Sequence, residues 1–96
     1  MPFAHFGAYS FSSVSVRKNA PELSGVYGLS NGREWVFVGT ADNIQAALLA
    51  HLGETDRMFR AHLPTGFTYE LCDADRLSRQ RRLVFEMKPV CNRLAG

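Results

Sequence analysis

The feature that most constrains this chain is a turn signal between two strand-like runs. Ser24 to Leu29 and Glu34 to Val38 are rich in β-branched and aromatic residues, which suit the pleated, half-buried surface of a sheet. Between them lies Ser30-Asn31-Gly32-Arg33. Asn and Gly both tolerate the positive φ that tight hairpin turns require, so the segment predicts a β-hairpin. In it Tyr27 and Leu29 share one face of the first strand, and Trp35 and Phe37 are expected to share one face of the second.

The residues after the hairpin change to a helical period. Asp42 is the expected N-cap, with Gln45 as its capping-box partner. Ile44, Leu48, His51 and Leu52 fall on one face with Ala47 at its edge, and Gly53 is a natural stop. Residues 54–66 form a mixed connection, with a further turn of helix expected within Asp56 to Leu63. Phe67 to Cys72 alternates like a strand. Asp73-Ala74-Asp75 supplies the acids that favour a helix start, and that helix is expected to run from Asp75 to Met87, stopping ahead of Pro89.

Residues 1–23 read as an N-terminal extension, an added strand or arm, because Ser10 to Val16 alternates imperfectly. Phe3, Phe6, Tyr9 and Phe11 are expected to cover one side of the sheet or to form a self-association patch. The order hairpin, helix, strand, helix predicts an α/β (α+β) domain over residues 24–93, a small sandwich with a three-stranded, mainly antiparallel sheet flanked by helices.

Composition narrows the class without naming a task. The 96 residues suffice for one domain. The net charge of +2 is too small to imply a nucleic-acid partner by itself. Cys72 and Cys91 form no CxxC pair and have no histidine at zinc-ligand spacing, so two free thiols in a reducing compartment are expected. Met1 to Phe6 lacks the basic and apolar regions of a secretory signal. No run approaches the roughly 20 apolar residues of a membrane span. The expectation is a cytoplasmic protein with no membrane partner.

Two groups of residues carry a more specific signal. The first is Gly25-Val26-Tyr27, then Phe37-Val38-Gly39-Thr40-Ala41-Asp42-Asn43-Ile44, then Leu48 and His51-Leu52. The second is Leu83-Val84 followed by Pro89-Val90-Cys91-Asn92. Together they resemble the GIY-YIG nuclease domain, used by homing endonucleases and by the incision subunit of bacterial nucleotide excision repair. The resemblance implies a divalent metal held by a late-helix glutamate, tyrosines from the hairpin at the metal, and an arginine of the first helix on the scissile phosphate. Tyr27 matches the first tyrosine, and Asn92 matches the asparagine after the proline. His51 matches a position usually His or Tyr. Phe37 stands where the second tyrosine belongs, Thr40 at a lysine position, Ala47 at the arginine and Gln80 at the glutamate.

The resemblance therefore implies a degenerate site at Tyr27, Phe37, Ala47, His51, Gln80 and Asn92. A glutamine carbonyl holds a hard cation much less well than a carboxylate does, so no metal is expected. Of the nearby acids, Glu86 lies about 240° around the helix from Gln80, and Asp73, Asp75 and Glu70 would need a different metal position. Gln80 reads equally as a relic of the site and as a buried amide bonded to backbone. His51 reads first as a half-buried structural histidine, and His5 and His62 as surface residues. Arg76, Arg79, Arg81, Arg82, Lys88 and Arg93 are candidates to bind nucleic acid, weighed evenly against an ordinary solvated face. The expected role is binding of DNA or of a protein partner, without catalysis. One alternative is a divalent-metal-dependent endonuclease, using Mg or Mn with Tyr27, His51 and a displaced acid. The other is a self-associating module, a homo-oligomer without nucleic acid.

Overall fold

The computed structural model describes residues 9–53 and 61–95. At its centre is β2 (Gly25–Ser30), buried along its length between the antiparallel strands β3 (Trp35–Ala41) and β4 (Gly66–Leu71). The hairpin forms as its turn residues predict. Gly32 takes a φ of +87°. Asn31 acts through its side chain instead, its Oδ1 accepting from the N–H groups of Arg33 and Glu34, each at 3.0 Å. That closes the turn in the manner of an Asx-turn.

One irregularity in the hairpin re-aims a side chain. The β2–β3 register shifts between Leu29 and Ser30, leaving Val36 as the extra residue, so Trp35 opposes Ser30. An extra residue in a strand reverses the facing of what lies beyond it. Phe37 therefore packs on the side of Tyr27 and Leu29, whereas Trp35 packs with Val26, Val38 and Leu83. The expectation of a shared face for Trp35 and Phe37 is corrected accordingly.

Among the described residues the sheet has four strands, one more than the three expected, in the order β1-β4-β2-β3. The added strand β1 (Tyr9–Ser10) pairs with Phe67 and Gly66 of β4. Its Tyr9 ring lies 5.2 Å from Phe67 and 6.0 Å from Tyr69, and Phe11 packs on the same core. The serine- and valine-rich stretch is helical, not extended: α1 spans Ser13–Asn19. Ser12 caps it, accepting from the Ser15 N–H at 3.3 Å. A favourable cap offsets the mild strand bias of Val14 and Val16, and Val16 anchors the helix in the core. Phe3, Phe6, His5 and most of the turn expected within Asp56 to Leu63 lie outside the described residues.

The second helix, α2 (Ile44–Leu52), starts one residue later than expected. Asn43 is its cap, accepting from the Ala46 N–H at 2.9 Å. Gln45 leaves the capping box and donates its amide to the Ala20 carbonyl at 3.0 Å, tying α2 to α1. Ile44 and Leu48 are fully buried. The long helix α3 (Arg76–Met87) ends at Lys88, whose φ of +50° turns the chain into Pro89. A short helix, α4 (Val90–Ala95), follows.

These elements make two apolar layers. Val16, Ala20, Tyr27, Leu29, Ile44, Leu48 and Phe67 form the core under α1 and α2. Leu83 of α3 packs on Val26 and Val38 across the opposite face, and α4 lies against the outer strand β3. Among the described residues Cys72 and Cys91 form no disulfide. No described helix is long and apolar enough to cross a membrane.

Candidate functional site

The six motif positions lie around the middle of β3, in two groups. On the α2 side, the Tyr27 hydroxyl is 2.7 Å from His51 Nε2. The Phe37 ring lies 5.1 Å from the His51 ring and 6.2 Å from Tyr27. Gly39, paired with Tyr27 across the ladder, makes room for this cluster. A Cβ at Gly39 would sit 2.6 Å from the Tyr27 hydroxyl and 2.7 Å from the Phe37 ring. Burial pushes the Tyr27 phenol up to about 12, so it stays protonated at neutral pH. Ala47 is half-buried one turn before His51 on α2 and contributes packing but no charge.

The second group is held by the free edge of β3. Being the outer strand, β3 presents Val38 backbone groups that no neighbouring strand can satisfy. The Val38 N–H donates to Asn92 Oδ1 at 2.7 Å, and the Val38 carbonyl accepts from Asn92 Nδ2 at 2.9 Å. Asn92 thus reproduces the donor–acceptor pair of an adjacent strand. The same carbonyl accepts from Gln80 Nε2 at 3.1 Å. Only the NH₂ end of an amide can donate to a carbonyl, so a carboxylate at position 80 could not make this bond.

The charged candidates separate into two sets. Arg79 grips Glu70 with two hydrogen bonds, Nε to Oε2 at 2.7 Å and Nη2 to Oε1 at 2.9 Å. That contact raises the Arg79 pKa and occupies Glu70, the one acid on the described strands. Arg76 pairs with Asp42, reaches Asp73 at 3.8 Å and donates to the Ala41 carbonyl at 3.5 Å. Both arginines tie α3 to the sheet. Arg81, Arg82 and Lys88 are exposed and make no hydrogen bond or ion pair among the described residues. Arg93 lies on α4, with its side chain outside the described set. His62 is half-buried at the hairpin turn, 3.5 Å from Glu34, with its carbonyl accepting from Asn31 at 2.8 Å.

Sequence reasoning missed three participants: Gly39 as the spacer for Tyr27, and the acids Asp42 and Glu70 as partners of Arg76 and Arg79. The Gly39 role was readable only once the opposing strand was known. Asp42 lies 34 residues from Arg76 and Glu70 nine from Arg79, each on a different element from its arginine, and no helical or strand spacing announces them.

A hairpin with its central strand against β4, a helix carrying His51 beneath Tyr27, and a late helix that ends at Pro89 and Asn92 define a GIY-YIG-like domain. The fold is shared with the GIY-YIG N-terminal endonuclease domain of UvrC from Thermotoga maritima, bound to its catalytic magnesium. The TM-score is 0.64 at 22% identity, over 77% of this chain and 91% of that one. A tyrosine-to-phenylalanine variant of that domain, bound to its catalytic divalent cation, superposes equally well, with a TM-score of 0.64 over 90% of its chain. An asparagine-to-alanine variant, also cation-bound, gives 0.59. No family model and no curated protein matches the sequence.

Proposed function

We propose that this domain is a GIY-YIG-like scaffold that binds nucleic acid without cutting it, its metal-ligand position having become part of the structure. The observation that carries this reading is the Gln80 amide donating to the Val38 carbonyl. Its nitrogen is spent on the sheet edge, and what remains for a cation is one neutral oxygen. Among the described residues, no three His, Cys, Asp or Glu side chains gather to hold a metal ion, and Glu70 is held by Arg79. The residues present do not fit a divalent ion of the kind the UvrC domain binds. Ala47 adds no charge for a phosphate and Phe37 no hydroxyl. The exposed Arg81, Arg82 and Lys88 favour phosphate contact by charge. We propose the cytoplasm as its compartment, where thiols such as Cys72 stay reduced.

One observation favours the nuclease alternative. The hydrogen bond between Tyr27 and His51 preserves a polar pair where the resembling enzymes work. The two readings separate in a single experiment. Purified protein is titrated against duplex, branched and single-stranded DNA in EDTA, Mg²⁺ or Mn²⁺, and each sample is divided between native and denaturing gels. A salt-sensitive shift without cleavage supports the binding scaffold, because phosphate contacts release counterions. Metal-dependent cleavage that vanishes in Tyr27→Phe overturns it.

A further inference from the structure

We propose that the outward face of α3 stacks an unpaired nucleobase on Phe85 and holds the adjoining phosphates with Arg81, Arg82 and Lys88. This rests on the nucleic-acid-binding reading above and names its substrate class: single-stranded nucleic acid.

Phe85 is 80% exposed, more than the exposed Leu77 at 58% or Leu71 at 52%. A lone apolar residue at the surface needs no explanation; what distinguishes Phe85 is its surroundings. At about 100° per residue, Arg81 and Arg82 flank it, roughly 40° to one side and 60° to the other. Lys88 is the left-handed cap of the helix, three residues beyond Phe85, and that spacing puts it on the Arg81 side. Three exposed cations around one aromatic ring exceed the net charge of the whole chain, which is +2. Glu86, the one acid on α3, sits about 100° away from Phe85 and acts on Arg79, whose pKa it helps to raise. Arg76 and Arg79 point back to the sheet in their ion pairs, which leaves this face to Arg81, Arg82 and Lys88, unpaired among the described residues.

An exposed ring between cations matches the chemistry of a single strand, which offers base faces and phosphates together. Each base–aromatic stack is worth about 1–3 kcal/mol and tolerates any sequence. A duplex presents the phosphates but keeps its base faces inside the stack. A second copy of the chain is disfavoured, because apposing this face with itself would set three cations against three. The face points away from Tyr27 and from the β3 edge, so binding there is independent of what stands at position 80.

The test is fluorescence anisotropy with a dye-labelled oligothymidylate and a duplex of equal length. It uses the parent protein, Phe85→Ala, Phe85→Tyr and the double variant Arg81→Ala/Arg82→Ala, with thermal melts to check folding. The parent should prefer the single strand. Phe85→Ala should weaken single-strand binding roughly 5- to 100-fold while sparing the duplex and the melting temperature, and Phe85→Tyr should restore it. The arginine pair should weaken both probes and flatten the dependence on salt. Single-strand affinity unchanged in Phe85→Ala, or an equal loss on both probes, overturns this inference while leaving nucleic-acid binding intact. A parent that binds neither probe overturns the binding reading and this inference with it. Phe85-dependent capture of a polyglutamate peptide in that case would assign the face to an acidic protein.

Discussion

The two halves of the candidate site have fared differently. Beneath α2, Tyr27 and His51 keep a 2.7 Å hydrogen bond, and Gly39 keeps the space that Tyr27 needs. At the edge of β3, Gln80 and Asn92 are both committed to the Val38 backbone. The first half retains polar chemistry inside a packed core. The second half is occupied with finishing a sheet. The difference teaches that positions in a sequence motif can be held by packing and backbone demands of the fold. Asn92 satisfies an edge strand whatever the chemistry, so its place in the motif needs no activity to explain it. At position 80 the amide has a backbone acceptor, the Val38 carbonyl, that a carboxylate would repel.

The comparison can be broken first at Gly39. Gly39→Ala drives a methyl group into the Tyr27 hydroxyl and the Phe37 ring, and overpacking of this kind costs about 3 kcal/mol. A denaturant melt as stable as the parent would mean that the Tyr27 cluster is loose. Next is Asn92→Ala, which leaves the buried Val38 N–H without its acceptor, while the Val38 carbonyl keeps the Gln80 amide. A buried backbone group left unsatisfied costs about 2 kcal/mol. Faster amide exchange at Val38 than elsewhere in β3 would localise the loss to the edge.

A smaller effect separates the halves by pH. The Tyr27 phenol ionises near 10 when unfolded and near 12 when buried. Its contribution is therefore complete below pH 10 and is lost as pH rises toward 12. Tyr27→Phe should remove that alkaline component from the unfolding profile, while costing about 1 kcal/mol at neutral pH through the lost bond to His51. An unchanged alkaline profile in the variant would contradict the burial of this phenol. Smallest is Arg79→Ala. It breaks a partly exposed ion pair with Glu70 and should cost about 0.5 kcal/mol, since such pairs contribute little in water. A loss several times larger would show that the pair anchors α3.

Much of the architecture was legible because it is local. Asn31-Gly32 announced the hairpin, Gly53 ended α2, and Pro89 ended α3 through the backbone of Lys88. Spacing to Pro89 singled out Gln80 and Asn92, and both side chains reach the Val38 backbone. What was not legible depended on partners distant in the chain or on single-residue shifts. The extra residue Val36 turned Trp35 to the other side of the sheet, and alternation counts cannot see a bulge. Asn43 took the cap from Asp42, which instead pairs with Arg76 across the fold. The run of arginines on α3 read as one basic face, yet Arg76 and Arg79 turn inward to acids supplied by other elements. The Ser12 cap made a helix of a segment whose valines suggest a strand, and β1 is too short for any periodicity.

The central claim is that Gln80 now serves the sheet edge and not a cation. The measurement that tests it most directly is a set of thermal melts of the parent and of Gln80→Glu, with and without Mn²⁺, across neutral and acid pH. The account expects the parent to melt at one temperature regardless of Mn²⁺. Gln80→Glu should melt lower at neutral pH, because its carboxylate faces the Val38 carbonyl. That deficit should vanish as the pH falls toward the ordinary glutamate value of about 4.3, where the protonated acid can donate. Stabilisation of the parent by Mn²⁺ that disappears in Tyr27→Phe, or a Gln80→Glu variant as stable as the parent at neutral pH, would contradict it.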